Sequence, residues 1–225
     1  MLPNPGCSCG YAVAVPHEPP IPPQARVGWA QAPATILSVA HATHAVPVVC
    51  IAGAVGSGKS ALARRLAESA PALLISTDDY LPDYHITPEH LRDEPDAAHL
   101  PELASHIAEL LAGRPVDMPA WSFHEHRRTG TRRVGPSGMI IVEGIHALHD
   151  SIGAVRTLGV LVEAPASVRW ARWEILESSG QRGWGVERAR AFFEQVADPT
   201  FARYEARYRS RADLTVVNDH GLPAG

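Results

Sequence analysis

Val48-Val49-Cys50-Ile51-Ala52-Gly53-Ala54-Val55-Gly56-Ser57-Gly58-Lys59-Ser60 is an apolar β-type run, then a glycine-rich turn ending in Lys-Ser. A helical pattern follows from Ala61. Residues 53–60 fit G-x-x-x-x-G-K-[ST], a loop that wraps phosphate groups. The residue types follow from that task. Glycine lets the backbone curl around an anion and aim several N–H groups at it. The helix that begins there adds the positive end of its dipole. The spacing therefore assigns Gly53, Ala54, Val55, Gly56, Ser57, Gly58, Lys59, Ser60 and Ala61 to a nucleoside triphosphate. Lys59 reaches its β- and γ-phosphates, and Ser60 offers a hydroxyl to Mg²⁺.

Outward from this stretch, continuous apolar runs alternate with helical patterns. Strands are predicted at about 48–52, 73–76, 115–123, 139–143, 158–162 and 214–217. Helices are predicted at 60–69, 100–111, 166–177, 186–197 and 200–209. The stripe Leu100, Leu103, Ile107, Leu110 and Leu111 marks the second of these, with Pro101 in its first turn and Gly113 at its end. Such alternation means α/β, with a mainly parallel sheet and helices on both faces. Residues 1–45 read as a Pro-rich, irregular extension, with a short strand or helix left open at 35–42. The body is expected at 46–218, and 219–225 as a tail.

Composition narrows the function classes. The chain has 225 residues and a net charge of −4, which argues against a nucleic-acid binder. No apolar run suits a membrane span, and the N-terminus does not read as a secretory signal. The three cysteines form no disulfide framework, and a cytoplasmic location fits. A homo-oligomer is left open.

In open α/β sheets, ligands bind beyond the carboxyl ends of the strands. Three predicted strands end in chemistry: the phosphate loop, Asp78-Asp79, and Glu143. Glu143 suits an acid that holds Mg²⁺ directly or through water. Asp78 suits a base that deprotonates an acceptor hydroxyl, with Asp79 as its rival. The run Arg127, Arg128, Arg132 and Arg133 reads first as a solvated loop and next as a phosphate-facing hairpin.

The order of motifs resembles the uridine kinase/phosphoribulokinase family. The matching stretches are GAVGSGKS at 53–60, STDDYL at 76–81, DEPDAAHL at 93–100 and LLAGRPVDMP at 110–119. They continue with WSFHEHRR at 121–128, VEGIHAL at 142–148, QRG at 181–183 and ADLTVV at 212–217. The resemblance spans roughly residues 46 to 218. It implies a three-layer P-loop NTPase fold with a small lid and β-hairpin over the substrate. It also implies transfer of the γ-phosphoryl group of ATP, with Mg²⁺, to a nucleoside 5′-hydroxyl.

On that resemblance, Asp78 is the catalytic base and Asp93 holds the ribose hydroxyls. Tyr80, Trp121, Phe123, His126 and Arg128 fall on the substrate side. Arg169, Arg172 and Arg182 fall in the lid, Arg172 and Arg182 as catalytic charges. Two departures bear on the acceptor. Trp121-Ser122 stands where the family usually has tyrosine then aspartate, and Leu176 to Gln181 lacks one lid arginine. Uridine or cytidine is the default acceptor. The alternatives are another small hydroxylated metabolite, or a nucleotide-binding regulator without turnover.

Overall fold

The computed structural model describes residues 25–219. Six parallel strands form the central sheet in the order β3-β6-β2-β7-β8-β1. They are β1 (Ala25–Gly28), β2 (Val48–Ala52), β3 (Leu73–Ser76), β6 (Ile140–Glu143), β7 (Leu158–Glu163) and β8 (Leu214–Val217). Every residue of β2 is fully buried, as a strand covered on both faces demands. The hairpin of β4 (Val116–Ser122) and β5 (Arg127–Val134) is antiparallel and stands apart from the sheet.

One face is covered by α1 (Ala32–Thr43) and α2 (Lys59–Ser69), through Ala32, Ile36, Ala40, Leu62, Ala63 and Leu66. The other is covered by α3 (Leu100–Leu111), α4 (Asp150–Gly153) and α7 (Asp198–Arg211). A third apolar cluster, built around Trp170, Trp173, Phe192 and Phe193, joins α5 (Ala166–Ser178) to α6 (Val186–Phe192). The architecture is the expected α/β sandwich with a separate hairpin.

Three expectations shift. First, the sheet begins well before residue 46. β1 pairs with β8 from Ala25↔Leu214 to Gly28↔Val217, and α1 buries Ile36 fully. The four-residue edge strand is too short to show a period, and the prolines before it dominate the local composition. Residues 1–24 and 220–225, including most of the expected extension and tail, lie outside the described residues. Second, the arginine-rich run is strand β5, not a loop. Its charges are met by acids on neighbouring segments, Arg128 by Glu102 and Arg133 by Asp117. Third, the two helices expected at 186–209 are one continuous helical run. A π-helical turn at Phe193–Ala197 leads into α7, whose second residue is Pro199. A widened turn there accommodates a ring that a regular helix would reject.

Candidate active site

The loop after β2 turns into α2 through two glycines at left-handed angles, Gly56 at φ 74° and Gly58 at φ 98°. A side chain at Gly56 would meet the Arg169 carbonyl oxygen at 2.3 Å, and one at Gly58 the Asn218 amide nitrogen at 2.3 Å. Both positions thus need glycine for conformation and for space. No side chain caps the N-terminus of α2, and its first turn holds no acid. Its first N–H groups are therefore left for an anion.

Two neighbouring strand tips supply oxygen. Glu143 ends β6, where its carboxylate accepts from Ser60 Oγ at 2.7 Å and from Ser76 Oγ at 2.8 Å. Ser76 Oγ in turn accepts the backbone N–H of Asp78 at 3.2 Å, which fixes the turn after β3. One hydroxyl and one carboxylate at contact distance suit Mg²⁺, which keeps most of its shell for phosphates and water. Among the described residues no cluster of three or more His, Cys, Asp or Glu could form a fuller metal cage.

Asp78 faces a pocket that it lines with Asp93, Phe123, His126 and Arg182. Burial, and then the nearby Glu143 carboxylate, hold the Asp78 acid above the ordinary range, while Lys59 and Arg182 oppose the shift. Asp93 is pushed up to about 7, by burial first and by Asp78 second. Two half-buried carboxylates in one pocket resist ionising together. Arg182 lies 4.0 Å above the Phe123 ring, a cation over an aromatic face. Asp79, the rival base, instead faces the hairpin and meets Arg132 at 3.4 Å.

His126, at φ 55°, bridges the hairpin to the segment after α5. Its Nε2 accepts the indole N–H of Trp184 at 3.0 Å, and its Nδ1 is buried with no partner. Burial, followed by Arg188 and Arg92, lowers its pKa, so the ring is neutral with its proton on Nδ1. The loop carrying Arg182 and Trp184 is anchored by Glu177. That carboxylate accepts the N–H groups of Trp184 and Gly185 and the Trp173 indole, each at 3.1 Å.

Other predicted residues lie elsewhere. Tyr80 is fully buried, its hydroxyl 2.8 Å from His106 Nδ1. Arg128 is held by both carboxylate oxygens of Glu102. Trp121 sits behind the pocket, edge-on to Tyr84 and Phe123, and donates its indole N–H to the Pro82 carbonyl. Arg169 pairs with Asp198 and reaches the Val55 carbonyl. Arg172 donates to the carbonyls of Gly56 and Ser57 and to Asn218. These two arginines brace the phosphate loop, and only Arg182 of the three lines the Asp78 pocket.

Sequence reasoning missed Tyr84, Trp184 and Glu177, all of which line the pocket. Tyr84 lies between the strand expected at 73–76 and the helix expected at 100–111, where no element was expected. Glu177 was visible only as the place where a lid arginine was absent. His146, within VEGIHAL, also escaped notice. It joins the Asp93 carbonyl (2.6 Å) to the Tyr208 hydroxyl (2.7 Å), and burial pushes its pKa down to about 4.

Comparison with known proteins agrees with this geometry. The profile described as PRK: Phosphoribulokinase / Uridine kinase family matches residues 48–219. A uridine kinase of Deinococcus deserti is 32% identical over 184 residues, covering 77% of this chain and 87% of the relative. A uridine kinase of Halobacterium salinarum is 31% identical over 175 residues, covering 74% and 77%. Among solved structures, a candidate fructose transport system kinase from Silicibacter sp. TM1040 superposes with a TM-score of 0.65 at 23% identity, covering 81% of this chain and 97% of that one. The chain belongs to the phosphoribulokinase/uridine kinase family and is a P-loop kinase of small molecules.

Proposed function

We propose that this kinase moves the γ-phosphoryl group of ATP, with Mg²⁺, to the 5′-hydroxyl of a pyrimidine nucleoside, uridine first. The observation that carries the reading is the pocket beside the phosphate loop. There a half-buried carboxylate, Asp78, stands under the positive potential of Lys59 and Arg182. A second acid and an aromatic wall share the same space.

Each residue then has a task. Lys59 and the loop N–H groups hold the triphosphate. Ser60 and Glu143 would hold Mg²⁺, which would offset the negative charge of the phosphates. Asp78 takes the proton of the acceptor hydroxyl as its oxygen bonds to the γ-phosphorus. The bond from that phosphorus to the β–γ bridging oxygen breaks, and ADP leaves. Arg182 offsets charge on the transferring group. Asp93 accepts hydrogen bonds from the ribose hydroxyls. Tyr84 and Phe123 offer aromatic faces to a base, and the His126 ring lines the same pocket.

One observation favours a second reading. The indole N–H of Trp121 is engaged by Pro82, so the base edge lacks the phenol usual at that position. A smaller polyol or another hydroxylated metabolite fits such a pocket. A panel measuring ADP release with uridine, cytidine, purine nucleosides and sugars separates the cases. Stimulation by uridine or cytidine supports the first reading, and stimulation by sugars alone supports the second. ATP binding without acceptor-dependent turnover would instead indicate a regulator.

A further inference from the structure

The strand order divides the top of the sheet. The acceptor pocket lies over the β3 and β6 tips, where Asp78 and Glu143 stand, and the phosphate loop rises from β2 at the centre. A triphosphate anchored on that loop, with its γ end toward Asp78, must send its sugar and base the other way, over the tips of β7, β8 and β1. The residues there come from the ends of all three strands, with Glu163, Ala164, Val217 and Asp219 lining a cleft over β7 and β8. Asn218 follows β8, where it donates to the Ser57 carbonyl at 2.7 Å and accepts from Arg172 at 3.1 Å. Trp29 follows β1 in register with it, since Gly28 pairs with Val217.

Trp29 reaches the loop itself. Its ring tip lies 3.3 Å from where a side-chain carbon on Gly58 would stand. Arg65 of α2 sits 5.5 Å from the ring centroid and donates weakly to the Trp29 carbonyl. The ring is only partly buried. A large flat side chain is thus held at the rim of the phosphate loop by an element outside the family match, which begins at residue 48.

We propose that Trp29 is the stacking wall for the base of the donor nucleotide, supplied by the N-terminal strand and helix. The proposal rests on the reading of ATP as donor. An aromatic face gains from any nucleobase and gains nothing from a bare phosphate chain. That difference separates stacking from mere support of the loop.

The test uses the full chain and calorimetric titration, with Mg²⁺, of ATP and of inorganic tripolyphosphate. Trp29→Leu keeps apolar bulk against α2 without a π face, and Trp29→Phe keeps a π face. The expected result is about tenfold weaker ATP binding in Trp29→Leu, unchanged tripolyphosphate binding, and near-wild-type ATP binding in Trp29→Phe. Equal losses for both ligands would make Trp29 a support of the loop and overturn the proposal. Unchanged ATP binding in Trp29→Leu would overturn it as well. Wild-type protein that binds tripolyphosphate but not ATP would remove the donor reading, a failure seen without any variant.

Discussion

At the scale of single residues, Asp78 and Asp93 are held in conflict. Both are half-buried at the same pocket, and the Asp78 charge raises the cost of ionising Asp93. Asp93 titrates near 7 in the fold and near 4 in an unfolded chain. Between those values the native state binds more protons, so stability falls as pH rises through the window. Asp93→Asn removes this cost. Thermal unfolding should show the variant more stable than wild type at pH 8 and nearly equal to it at pH 4. The same variant should raise the KM for the acceptor by about tenfold or more, since a hydrogen-bonded hydroxyl loses a charged partner. Equal unfolding temperatures at pH 8 would mean that Asp93 carries no penalty. Asp78 stood out as an acid at a strand end, while Asp93 stood out only through the family resemblance. Their coupling was not legible, because Asp78 and Asp93 meet only when the turn after β3 and the loop before α3 fold together.

At the scale of elements, the segment from α5 to α6 borders the Asp78 pocket through Trp173, Glu177, Arg182, Trp184 and Phe192. α5 and α6 share an apolar cluster, while the loop at 179–185 between them is held by one carboxylate, Glu177, and by the contact of Trp184 with His126. Glu177→Gln leaves one acceptor oxygen for three N–H groups. Arg182 then loses its fixed place over Phe123. The expected outcome is a fall of about tenfold in kcat/KM for the acceptor, with ATP affinity unchanged and acceptor-independent ATP hydrolysis increased. Steady-state rates measured with and without acceptor check this, and an unchanged kcat/KM would show that the loop holds without its anchor. The helices on either side of that loop were expected at 166–177 and 186–197, close to α5 and to α6 with its π-helical turn. The loop's anchor was not legible, because an acid near a helix C-terminus reads as surface, and only the tertiary fold brings Trp184 back to it. The hairpin was half legible: β4 has an apolar pattern, while β5 is mostly arginine, threonine and glycine and finds its order through pairing with β4.

At the scale of the whole molecule, the sheet brings three strand tips into one crevice. That much followed from the phosphate loop and the alternating strands and helices, because parallel strands have their carboxyl ends on one side. The added β1 and α1 did not follow, since β1 is a short edge strand whose stability comes from β8 beside it. The central claim is that Asp78 prepares an acceptor alcohol for a triphosphate held by Lys59. The most direct measurement pairs product analysis with one substitution. Wild-type chain is incubated with ATP, Mg²⁺ and uridine, beside Asp78→Asn, and the phosphorylated nucleoside is quantified while ATP affinity is measured separately. Uridine 5′-monophosphate should form in the wild type, and the variant should form it 10² to 10⁴ times more slowly, to order of magnitude, with ATP affinity intact. Phosphorylated product formed by Asp78→Asn at the wild-type rate would contradict the account.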